Sequence, residues 1–137
     1  MAQPAALPEE LIGAAPDAFF GLFLDIWTRD PDAIPAQVRA EYLRAAREAV
    51  PSIVADYRAS AGVDVEHDRA DRAAGNQLRM PVTVLQQDWG AAPGSDAAGV
   101  WRAWASDLDH RTVSCGHFMA EEAPAEIVKA LRDLLDR

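Results

Sequence analysis

Cysteine is nearly missing from these 137 residues: Cys115 stands alone, so no intramolecular disulfide can form, and a reducing cytoplasm is the expected location. An apolar run of about 18 residues is also missing, as is a signal-peptide pattern, and no membrane-spanning helix is expected. Basic charge is scarce. The 13 Lys and Arg are outnumbered by 22 Asp and Glu, giving a formal net charge of -9. Such a chain repels phosphate backbones and anionic lipid surfaces, which argues against nucleic-acid or membrane partners and leaves small molecules and proteins. What is present is ordinary for a globular protein. Hydrophobic residues make up 50% and charged residues 26% of the chain, enough to bury a core without disorder.

Prolines punctuate the first third. Pro4, Pro8 and Pro16 leave Met1 to Ala15 largely extended, with at most a turn around Pro8 to Ile12. Phe19, Phe20, Phe23, Leu24 and Trp27 recur at helical spacing behind Pro16, predicting a helix to about Thr28. Asp30-Pro31-Asp32 and Pro35 break it. Val38, Tyr42, Ala45, Ala46 and Ala49 mark a second helix, and Pro51 opens a third through Ile53, Val54 and Tyr57 that ends at Gly62. Between Asp64 and Arg72 the charge density suits an exposed helix with pairs such as Asp68 and Arg72 four residues apart. His67 beside carboxylates at one-turn spacing also admits a metal site, but a site needs three or four convergent ligands and no second His or Cys pair is nearby, so no metal is expected.

The pattern changes after Gly75. Pro81-Val82-Thr83-Val84-Leu85 has the β-branched, nearly continuous apolar character of a buried parallel strand. Ser95 or Asp96 caps a following helix whose Val100, Trp101, Trp104, Ala105 and Leu108 share a face. Arg111 to Ser114 reads as a second strand, Cys115-Gly116 as a turn, and Met119 onward as a helix that places Ile127, Ala130, Leu131, Leu134 and Leu135 on one side. His117 therefore falls just beyond a strand end, where α/β proteins build their sites. An imidazole there suits general-base work near neutral pH, although a loop histidine satisfied by a backbone carbonyl gives the same pattern.

Cys115-Gly116-His117-Phe118-Met119-Ala120-Glu121-Glu122-Ala123-Pro124 resembles the histidine loop of an α/β-hydrolase. With Asp56-Tyr57-Arg58-Ala59 and Asp64-Val65-Glu66-His67-Asp68, the likeness extends over essentially the whole chain to the cap-to-C-terminus half of haloacetate (fluoroacetate) dehalogenase-like α/β-hydrolases. The resemblance implies an α/β chain with a partial α/β-hydrolase fold. Residues 1–79 would form a helical cap and the return to the core, and residues 80–137 a two-stranded parallel βαβα core. It also implies a reaction, hydrolytic dehalogenation of a small organic haloacid through an aspartyl ester and a histidine-activated water. His117 matches the general base of that reaction. Tyr57 matches a cap tyrosine that hydrogen-bonds the leaving halide, or else is a packed amphipathic aromatic. Asp88, after the first strand, stands where many α/β-hydrolases place the acid of the triad, but Gln86-Gln87 replace the family's usual Trp-Gly. No cofactor is implied.

The departures are as informative. No Gly-x-Ser-x-Gly or Gly-x-Asp-x-Gly elbow occurs, and Ser52, Ser60, Ser95, Ser106 and Ser114 all lack the strand, sharp turn and helix that expose a nucleophile. Cys115, between a strand and Gly116, reads as a packing residue. The expectation is a hydrolase-family chain that has the base without the nucleophile, and so is inactive alone. The alternative is a non-catalytic interaction module or one half of a split hydrolase acting on a haloacid, epoxide or ester. An inner strand with an unpaired edge would then bind an N-terminal-half partner or a second copy.

Overall fold

A computed structural model describes residues 1–3, 5–89 and 96–137. The chain divides into two compact units, Met1–Ile26 with Ile34–Asp71, and Trp27–Ala33 with Arg72–Arg137.

The first unit is helical. Its elements are α1 (Leu7–Ala14), α2 (Pro16–Trp27, all but its last residue), α3 (Ala36–Ser60) and most of α4 (Val63–Ala74). Ile12, Val50 and Val54 form its core, with Phe19 and Phe20 packed against them. Phe19 meets Phe20 and Phe23 edge to face, at 5.2 and 5.1 Å, the arrangement that the quadrupole of the rings favours. Two expectations fail here. The stretch expected to be extended contains α1, because Pro8 lies in its first turn, where no backbone donor is required, and Glu9 and Glu10 oppose the positive helix end. Ile12 anchors α1 in the core, while Arg58 of α3 pairs with Glu9 and donates to the carbonyls of Gln3 and Ala5. The two helices expected on either side of Pro51 are one helix, α3. Val50 and Val54, one turn apart, bury the same stripe across the proline, and Arg47, whose carbonyl loses its donor, lies on the exposed side.

In the second unit, β1 (Val82–Gln87) and β2 (Leu108–Val113) pair in parallel, from Val82 opposite Leu108 to Gln87 opposite Val113. Between them lies α5 (Ala97–Arg102), so the expected strand, helix and parallel strand are present. β1 starts one residue later than expected and runs two residues further, to Gln87, with the ladder opened by the Val82 N–H, which donates to the Asp107 carbonyl at 2.9 Å. β2 starts three residues earlier and stops before Ser114, because its polar residues are satisfied sideways. His110 bonds Gln86 at 3.0 Å, and Arg111 bridges Asp109 and Asp133, each at 2.6 Å. The Asp96 carboxylate caps α5 by accepting the Gly99 N–H at 2.7 Å, while Ser95, the other cap expected, lies outside the described residues. α5 ends at Arg102 rather than Leu108. Trp104 is diverted to accept the Leu78 N–H at 2.7 Å, and Leu108 enters the sheet. Beyond β2, one expected helix is split into α6 (Met119–Glu122) and α7 (Pro124–Leu135). Ala123, which precedes Pro124, sits at φ -139°, ψ 53°, out of the helical region that a following proline disfavours.

Candidate active site

The C-terminal ends of β1 and β2 carry the residues singled out in this unit. β2 ends at Val113, whose carbonyl accepts the Asp88 N–H at 3.1 Å, so Asp88 and the loop from Ser114 to Phe118 leave the same edge of the parallel pair. Cys115 turns inward and is 2% exposed. Burial pushes its thiol above the usual range, and the carboxylates of Glu122 and Asp88 add to the shift, so the group stays protonated. Gly116 is enclosed. An added Cβ there would lie 2.6 Å from the Arg29 nitrogen and 2.7 Å from the Trp27 carbonyl, contacts that only a hydrogen avoids. His117 then donates its backbone N–H to the Trp27 carbonyl at 2.8 Å. Its exposed imidazole lies between the Trp27 ring, 4.7 Å away between centroids, and the edge-on Phe118 ring at 5.5 Å.

Asp88 and His117 share the edge but, among the described residues, no hydrogen bond joins them. Instead the Asp88 carboxylate accepts from Arg29 Nη1 at 3.2 Å, and the same nitrogen donates to Ser114 Oγ at 3.0 Å. Both side chains of this ion pair are nearly half exposed, at 48% and 41%, so the pair contributes at most about 1 kcal/mol and opens readily. Glu122 is the more constrained acid. Its Oε2 accepts from the backbone N–H groups of Arg29 at 3.0 Å, Asp30 at 3.2 Å and Gly116 at 3.0 Å. Arg29, Asp30, Pro31, Ser114, Cys115 and Glu122 line an open polar depression beside the histidine loop.

Arg29, Trp27 and Glu122 were not singled out from the sequence. In the sequence Trp27 reads only as the last apolar position of a helix, the residues around Asp30-Pro31-Asp32 only as its break, and Glu122 only as part of the acidic start of a helix. The one available signal was the pair Glu121-Glu122 at the start of the helix that follows Gly116 and His117. Tyr57 lies in the other unit, on α3, with 42% of its surface exposed. Among the described residues no three His, Cys, Asp or Glu side chains converge closely enough to hold a metal ion, and no helix is long and apolar enough to cross a membrane.

With this geometry in hand, similarity to known proteins is decisive for the fold. No family model matches the chain. A fluoroacetate dehalogenase from a Burkholderia species is 29% identical over 137 residues, which make up 97% of this chain and 44% of that protein. A candidate epoxide hydrolase from Pseudomonas aeruginosa superposes with a TM-score of 0.87 at 36% identity, over 98% of this chain and 46% of its own. The chain matches the C-terminal half of an α/β-hydrolase. A candidate α/β-hydrolase from a Nostoc species agrees, with a TM-score of 0.85 and 37% identity over the same shares, 98% and 46%. The parallel β1 and β2, with α5 between them, are thus part of an α/β-hydrolase fold, and the chain spans about half the length of the relatives it matches.

Proposed function

We propose that this chain supplies the cap and the base of a haloacid-hydrolysing α/β-hydrolase, acting in the cytoplasm on a small organic haloacid. Residues 1–79 form the cap and its return, and residues 80–137 the last two strands and helices of the core. The observation that carries the reading is His117 itself, exposed and held by its backbone at the C-terminal edge of a parallel pair, in a chain without a nucleophile elbow. In the reaction, a carboxylate displaces halide from carbon to form an ester, and water then attacks the ester carbonyl. His117 takes the proton from that water. Tyr57 donates its phenol to the departing halide. For Asp88 to orient His117, its pair with Arg29 has to open.

Because a positioned base supplies only about 10² to 10⁴-fold and cannot replace the covalent step, the 137-residue chain should be silent alone. Halide release from fluoroacetate and chloroacetate, followed with ion-selective electrodes, should stay at the buffer rate. Turnover that disappears in His117→Ala would show that the chain holds a nucleophile of its own.

A second reading, an interaction module or one half of a split enzyme, is favoured by a separate observation. Among the described residues β1 has only β2 as a strand neighbour. A further strand on that edge would complete the sheet.

A further inference from the structure

The His117 loop is held in an unusual way. Gly116 and His117 are tied to residues 27–30, about 90 positions earlier, and the tie is mostly one carboxylate. Glu122 Oε2 accepts three backbone N–H groups from two distant segments, those of Arg29 and Asp30 on one side and Gly116 on the other. Its second oxygen, Oε1, is out of solvent, has no hydrogen-bond partner and lies against Gly116, so the carboxylate is held by the loop it organises rather than by water. Such a carboxylate accepts more strongly than a neutral oxygen, and three donors converging on one atom fix its direction. Directly beyond it, the His117 N–H reaches the Trp27 carbonyl, and the imidazole rests by the Trp27 ring.

We propose that Glu122 is a positioning residue, whose carboxylate fastens the Gly116-His117 turn to the backbone of Arg29 and Asp30 and thereby sets the imidazole beside Trp27. The proposal deepens the assignment of His117 as the base and rests on it for its functional meaning, but the geometry is testable without activity. In the 137-residue chain, amide hydrogen exchange and the imidazole proton shifts of His117 are compared among wild type, Glu122→Ala and Glu122→Gln. Glu122→Ala should speed exchange at Arg29, Asp30, Gly116 and His117 by about tenfold or more and abolish the ring-current shift that Trp27 imposes on His117, while Val84 and Arg111, whose N–H groups face the other strand of the sheet, keep their protection. Glu122→Gln keeps an acceptor oxygen but loses the charge. It should speed exchange at Arg29, Asp30 and Gly116 by only about threefold and restore the ring-current shift. If Glu122→Ala exposes the sheet amides as well, the chain has lost its fold and the Gln variant decides. Loop amides within twofold of wild type in a folded Glu122→Ala, or in Glu122→Gln when the Ala variant unfolds, overturn the proposal. Its failure leaves the base assignment standing. Conversely, a His117→Ala substitution without effect on an assembled hydrolase would remove the base assignment and leave the loop geometry intact.

Discussion

At Gly116 the chain passes so close to Trp27 and Arg29 that a methyl group has nowhere to go. Gly116→Ala should therefore lower stability by about 1 to 3 kcal/mol, the usual cost of forcing an extra carbon into a packed site, measured by urea denaturation. A variant as stable as wild type would show that the 27–33 segment yields easily. Cys115, one residue earlier, combines burial with a thiol raised above its normal range. It should react with a thiol-directed dye at least about tenfold more slowly than the same thiol in urea-unfolded chain, and rapid labelling of the native chain would contradict the burial. At this scale the sequence was readable wherever chemistry is local. His117 stood out because its turn and strand are its neighbours in the chain. Arg29 and Glu122 did not, since their partners are up to 93 positions away and nothing in a linear pattern signals that pairing.

Among the elements, α3 shows how burial overrides a local breaker. By local rules Pro51 reads as a helix start, yet Val50 and Val54 bury one stripe across it and the helix runs on. The missing hydrogen bond remains a cost. Pro51→Ala should stabilise the chain by about 2 kcal/mol, the helix-interior penalty of proline less the entropy that proline removes from the unfolded state. An unchanged or lower Tm would mean that Pro51 packs favourably in some other way. The same contrast separates what was legible elsewhere. β1, with its run of Val82, Thr83, Val84 and Leu85, was recognisable to within one residue at its start and two at its end. The first half of β2, Leu108 to His110, was hidden, because Asp109 and His110 are polar groups satisfied by an ion pair and a hydrogen bond, which alternation rules place outside a strand. α1 was missed because proline is as compatible with a first helical turn as with an extended chain, and the contacts that choose come from Arg58.

For the molecule as a whole, fold class and the share of the hydrolase that the chain covers were legible, because the order of helices, strand, helix, strand and helix survives errors in individual boundaries. The division into cap and core is a proposal. What the sequence could not convey is that residues 27–33 belong with the C-terminal unit. Both units carry carboxylates held below their usual range. Hydrogen bonding to Arg58 lowers Glu9, to Arg111 lowers Asp109, and to Lys129 and then Arg111 lowers Asp133. A folded-state value below the unfolded one gives stability that is present above the ordinary carboxylate range, about pH 4, and is lost as pH falls through the lowered values. Tm should accordingly drop between about pH 4 and pH 2, and drop less steeply in Asp133→Asn. Parallel profiles for the two proteins would show that these pairs carry no linkage. The edge of β1 that has no strand neighbour among the described residues leads to a concentration-dependent outcome as well: sedimentation should detect self-association, and a sharply melting monomer would mean that the edge is covered.

The most direct test joins this chain to the half that holds a nucleophile. In a chimera, the 137 residues replace the matching portion of the Burkholderia fluoroacetate dehalogenase, and fluoride release is measured with and without His117→Ala. The expected result is turnover in the chimera that falls by about 10² to 10⁴-fold when the imidazole is removed. A folded chimera that releases fluoride equally well with alanine at position 117 would contradict the assignment of His117 as the base.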